Sequence, residues 1–277
     1  MVWTGVLRAV LLLSLLSSGI RDVEGQRTVD LKALEHIVSV INVHNNKNPS
    51  TSAPASGSAS APDDVQYAMA IRIAKDGCLK ETDSANFVSL KEEVSQFKNQ
   101  LEKKGVYYER NTIIAARPSE RPDRHSEYTL LIEDEGKAIK NLLKDEKGRK
   151  DDCVIFYTYN SPCLDTCLDE EKDKAKQILY DKQQKKQKQN QNQNQNQGSQ
   201  SLILKCIYNH LGVLNSLQGP RAFVFTQIYR NDKNKDINLL RTAFKEITKT
   251  IPLYQCDNNN KCRPCEENNA FCVPDKL

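Results

Sequence analysis

DCVIFYTYNSPCLDTC, residues 152–167, decides how the rest of the chain is read. Its first half, Asp152 to Tyr159, is almost wholly apolar and aromatic, without the alternation of a half-solvated strand. Such a run is expected of a central strand covered on both faces. Its second half turns polar and places Pro162 before Cys163, with Cys167 four residues further on. Proline favours the first turn of a helix, so the spacing predicts a helix over Pro162–Asp181 that begins beside the two cysteines.

Working outward, the segment before this strand, His125 to Leu143, has an apolar stripe of Leu130, Leu131, Ile139, Leu142 and Leu143 and reads as a helix. The breaker-rich RPSERPDR just ahead of it marks the helix start at His125. Val65–Ala74 and Asn111–Ala116 read as strands, and Phe87–Leu101 and Leu31–Val43 as helices. On the other side, Ser201–Leu217 has helical period, Ala222–Tyr229 reads as a strand, Asp236–Thr248 as a helix and Ile251–Tyr254 as a short last strand. Strands separated by helices call for parallel pairing, because antiparallel neighbours need only a hairpin. The expected fold is α/β: a five-stranded mixed sheet between helical layers, its last two strands parallel.

The ends and linkers are compositionally distinct. Arg8 followed by the apolar run Ala9–Leu16, with small Val23 and Gly25, reads as a signal peptide over residues 1–25. Cleavage after Gly19 is the rival site. The run is too short to span a bilayer, so no membrane attachment is expected once it is removed. Residues 49–62 are a Ser/Ala/Pro-rich linker, and residues 183–200 a Gln/Asn/Lys-rich insertion with nothing to bury. The folded domain would then occupy residues 26–254, with a cysteine-rich tail over 255–277. With 277 residues, 38% hydrophobic and 27% charged, the chain suits one globular domain. A net charge of +4 permits an acidic partner and demonstrates none.

Nine cysteines suit an oxidising compartment. Cys256, Cys262, Cys265 and Cys272 crowd the tail and can pair in three ways. Cys262 and Cys265, at C-x-x-C spacing, are alternatively half of a second zinc site. Cys153 reads as a small buried residue, which leaves Cys78 and Cys206 as a candidate pair.

The chemistry lies in His125-Ser126-Glu127 and in Cys163 with Cys167. A catalytic zinc takes three protein ligands and keeps one position open. His125, Cys163 and Cys167 supply such a set, with the cysteines at i and i+4 on one helix face. Zinc brings the pKa of bound water towards neutrality, and a carboxylate beside it, here Glu127, can take that proton and pass it to a leaving amine. The alternatives are a Cys163–Cys167 disulfide or a purely structural zinc.

Taken together, His125, Glu127, Pro162, Cys163 and Cys167 match the H-x-E…P-C-x-x-C pattern of zinc deaminases. One departure is that three residues, not two, separate the cysteines. The run from Tyr159 to Cys163 resembles the aromatic-x-Ser-Pro-Cys segment of the AID/APOBEC branch, and with its signal and cysteine-rich tail the chain resembles the secreted AID/APOBEC-like deaminases. The resemblance implies a cytidine deaminase-like α/β/α sandwich, Zn2+ as cofactor, Glu127 as the proton carrier, and hydrolytic deamination of cytosine in single-stranded DNA or RNA, with a role in defence. It also places Tyr159, Tyr229 and Arg230 as candidate substrate contacts. The rival reading is a catalytically inactive secreted binding protein on the same zinc scaffold.

Overall fold

The computed structural model describes residues 28–42, 66–80, 89–97, 107–109, 112–118, 124–144, 148–189 and 206–275. The signal segment, the 49–62 linker and the later part of the 183–200 insertion lie outside them.

Helix α1 (Leu31–Asn42) is followed by β1 (Ala68–Ile73), the short α2 (Asp76–Leu79) and α3 (89–97). Strands β2 (Tyr107–Glu109) and β3 (Ile113–Ala116) lead to α4 (Ser126–Leu131) and α5 (Glu133–Leu143). Strand β4 (Cys153–Asn160) precedes α6 (Glu170–Gln189) and a 3-10 segment, Tyr208–Asn215. The chain closes with β5 (Arg221–Gln227), a 3-10 turn Arg230–Asp232, α7 (Ile237–Thr248), β6 (Leu253–Cys256), β7 (Cys262–Pro264) and a 3-10 segment Glu267–Cys272.

The strands form one mixed sheet in the order β2-β3-β1-β4-β5-β6-β7. β1 runs antiparallel to both β3 and β4, with Ile71 opposite Ile155. β4, β5 and β6 are mutually parallel, with Phe156 opposite Phe223 and Val224 opposite Tyr254. The expected parallel crossover through α7 is therefore present. The sheet has seven strands where five are expected. The additions are three-residue edge strands, too short to carry a readable alternation. β7 pairs antiparallel with β6, with Cys256 opposite Cys262, and holds Pro264 at the sheet edge, where a missing N–H is tolerated.

Alternation along β4 divides the core into two. Val154 and Phe156 join Phe223, Phe225 and Phe244 on one face, beneath α4, α5 and α7. Ile155 and Tyr157 join Tyr67, Phe97 and Ile37 on the other, beneath α1 and α3. The sheet is thus the middle layer of three.

Three helical expectations are redrawn. His125–Leu143 is not continuous: Asp134, Glu135 and Gly136 have φ of 50°, 58° and 70°, which separates α4 from α5. At Gly136 a Cβ would lie 2.7 Å from the Leu131 carbonyl oxygen, so the break needs glycine. The helix expected from Pro162 starts instead at Glu170, where Asp169 Oδ1 accepts the Lys172 N–H at 2.9 Å and acidic residues fill the first turn. It continues to Gln189, so the insertion's first residues prolong a helix. The described part of Ser201–Leu217 is 3-10 rather than α-helical.

The cysteines pair as Cys78–Cys153, Cys256–Cys262 and Cys265–Cys272. The candidate pair Cys78–Cys206 is corrected: Cys153 starts β4 beside Ile73 at the end of β1, and Cys78 lies just beyond that end. Cys206 remains a buried free thiol. The tail pairing also uses Cys262 and Cys265 in different disulfides, which removes them as a zinc pair. These bonds fit an oxidising compartment. No helix among the described residues is long and apolar enough to cross a membrane.

Candidate metal centre

His125 caps the N-terminus of α4 in extended backbone (φ −71°, ψ 155°) and is half-buried. Because the helix begins only at Ser126, His125 and Glu127 are not forced onto diverging helical positions. Across the cleft, β4 ends at Asn160 and runs through Ser161 and Pro162 to Cys163. From there the chain makes a single α-turn, closed by the Cys167 N–H on the Cys163 carbonyl at 3.0 Å. The cysteines therefore share a face through one isolated turn, not through the helix expected there.

The ligand atoms of His125, Cys163 and Cys167 lie within 4.8 Å of one another. The two sulfurs are 3.7 Å apart, and His125 Nδ1 is 3.7 Å from Cys163 Sγ. Tetrahedral zinc with Zn–S bonds of about 2.3 Å separates two sulfurs by about 3.8 Å. The donor set and its spacing fit that ion, and the cysteines are thiols here, not a disulfide. The sulfur–sulfur hydrogen bond shared with Cys167, assisted by His125, lowers the pKa of the Cys163 thiol. The same bond, together with burial, pushes Cys167 well up.

Glu127 is 1% exposed. Burial raises its carboxyl above the ordinary range, partly offset by the charge of His125. Its Oε1 accepts from Thr158 Oγ1 at 2.8 Å and from Gln66 Nε2 at 3.3 Å, and its Oε2 from Ser126 Oγ at 3.1 Å. Thr158 Oγ1 also lies 2.9 Å from the Asn160 carbonyl, so its one proton serves only one of these acceptors at a time.

A cleft of ≈ 230 Å³ opens over the group, lined in part by Gln66, Arg124, His125, Glu127, Cys163 and Tyr229. Tyr229 is tied to the cysteine loop by its N–H on Ser161 Oγ at 3.0 Å. Arg230 follows it, exposed, at the start of the 3-10 turn. Arg124 pairs with Glu133 and lies 5.9 Å above the Tyr128 ring. Tyr159 is elsewhere. Its ring stacks on Tyr67 at 6.5 Å, within the cluster on the opposite face of the sheet from Phe156 and Cys163.

No motif in the sequence marks Gln66, Thr158 or Arg124 as site residues. Thr158 had a readable signal: it precedes Tyr159 and alternates with it along β4. Gln66 had none, since its role depends on pairing between distant segments.

A family model described as Secreted Novel AID/APOBEC-like Deaminase 1 matches residues 58–197 and 194–276. No curated protein and no solved structure matches the chain.

Proposed function

Since the chain belongs to the Secreted Novel AID/APOBEC-like Deaminase 1 family, we propose that it is a secreted, zinc-dependent hydrolytic deaminase of cytosine in single-stranded nucleic acid. The observation that carries this reading is the convergence of one imidazole, two thiols and a buried carboxylate at one cleft. His125, Cys163 and Cys167 would hold the metal. When bound, zinc supplies the Lewis acidity that makes water a nucleophile near neutral pH.

Glu127 takes one proton from the attacking water and hands it to ring nitrogen N3, then takes the second and hands it to the exocyclic nitrogen. Cytosine and water become uracil and ammonia, and the carboxylate is regenerated. Burial favours the protonated carboxyl, which suits a group that must hold a proton between two transfers. The cleft suits one extruded base rather than a paired duplex. Tyr229 in its lining offers a ring for stacking, and Arg230, next in the chain, a cation for a phosphate. The disulfides favour action outside the cytosol, where foreign nucleic acid is a source of substrate and defence a role.

The test is incubation of zinc-loaded protein with single-stranded DNA and RNA oligonucleotides carrying one C or one A. Conversion of C to U is expected. Conversion of A alone, or of free nucleosides alone, would replace the substrate. No turnover by a zinc-loaded protein would favour the inactive binding scaffold.

A further inference from the structure

We propose that Gln66 is a positioning residue for Glu127, a role whose catalytic consequence rests on the deaminase reading above. Gln66 lies just ahead of β1 and lines the cleft. Its Oε1 accepts the backbone N–H of Asn160 at 3.0 Å. A backbone N–H can only donate, so the orientation of the carboxamide is fixed: oxygen towards the end of β4, nitrogen towards Glu127. The two hydrogens on Nε2 then have two acceptors, Thr158 Oγ1 at 3.1 Å and Glu127 Oε1 at 3.3 Å. Thr158 reaches the same carboxylate oxygen from β4.

Two donors, one on β4 and one from the segment just ahead of β1, thus converge on one oxygen of a buried carboxyl. A glutamate has three rotatable side-chain bonds, and proton transfer between water and a leaving amine works only in a narrow range of them. Gln66 also fixes Glu127 relative to Asn160, three residues before Cys163 on the same chain. The carboxylate and one metal ligand are therefore registered to a common strand end.

The experiment compares zinc-loaded, full-chain wild type with Gln66→Glu and Gln66→Leu. The first keeps an acceptor for the Asn160 N–H but loses the donor towards Glu127; the second loses both. Both are expected to lose about 10- to 100-fold in kcat, the effect of a hydrogen bond to a charged group. KM should stay within about twofold, and zinc content should be unchanged. A purely structural role at the strand end would let Gln66→Glu keep wild-type kcat, which overturns the proposal. Crystal structures of zinc-loaded wild type and Gln66→Leu give a readout free of activity. Glu127 leaving Thr158 in the variant supports the role, and Glu127 unmoved overturns it whatever the rates. If wild type turns over nothing while Glu127 still moves in the variant, the deaminase reading fails and the positioning role stands.

Discussion

Asp232 Oδ2 accepts the backbone N–H of Leu164 at 3.0 Å, and Asp232 is wholly buried. Its other oxygen meets Lys235 Nζ at 2.6 Å, and the same ammonium reaches Asp165 at 2.6 Å. Leu164 follows Cys163 directly, while Asp232 closes the 3-10 turn after Tyr229. One carboxylate therefore joins the cysteine turn to the rim of the cleft.

Asp232→Ala leaves the Leu164 N–H without its acceptor and takes one of the two carboxylates from Lys235. A loss of about 2–3 kcal/mol is expected. Support lost behind a ligand typically weakens a metal site about 10-fold or more. Thermal unfolding and zinc competition with a chelator measure the two effects. Asp232→Asn, which keeps an acceptor for Leu164, should lose less of both. Undiminished zinc affinity in Asp232→Ala would show that the link does not support the site.

Zinc should bind at about one equivalent per chain, falling towards zero in His125→Ala and Cys163→Ala. Chelation should lower the unfolding temperature, and added zinc restore it. Metal analysis and calorimetry read both. Full zinc content in Cys163→Ala would place the ion elsewhere.

Glu127→Gln separates catalysis from stability. Burial raises the folded pKa of Glu127 above its ordinary value. The folded chain then holds the proton more tightly than the unfolded chain. Stability from this group is full below the ordinary carboxyl pKa, about 4, and is lost as pH rises through the raised value. The metal-free variant should therefore melt higher than metal-free wild type near neutral pH, and the two should converge at about pH 4 or below. Its zinc content should be unchanged, and C-to-U turnover should fall by roughly 10²–10⁴. Loss of zinc in the variant would make Glu127 a ligand rather than the proton carrier.

Peptide mapping without reductant should recover Cys78–Cys153, Cys256–Cys262 and Cys265–Cys272. Cys206 should resist alkylation until the chain unfolds, because burial pushes its thiol up to about 11. Cys78→Ser with Cys153→Ser opens a loop of 75 residues and should cost on the order of 4 kcal/mol. A Cys78–Cys206 peptide would refute the assignment.

How much of this was legible in the sequence follows from the range of each interaction. β4 and β5 are readable because strands buried on both faces must be apolar throughout, and that composition is local. The parallel pairing of β5 and β6 follows from a helix too long for a hairpin between them. His125, Glu127, Cys163 and Cys167 stand out because the first two are two apart and the cysteines four apart, spacings that a metal site would require. Motif likeness places Tyr159 at the cleft, whereas alternation along β4 puts it on the face opposite Thr158. Helix starts were blurred where a single turn, Cys163–Cys167, mimics the first turn of a helix.

Sequence alone thus determined the layer order and the residue types of the donor set, since both are written in local patterns: element periodicity, H-x-E at 125–127, and cysteines at i and i+4. Tertiary structure decided which partners those donors meet: Gln66 on Glu127, Asp232 on Leu164, and Cys78 on Cys153 rather than Cys206. Each of these pairs joins residues 61 to 75 positions apart, brought together by the sheet and its loops. Such contacts are set by strand register and loop closure over the whole core, and no local periodicity records them.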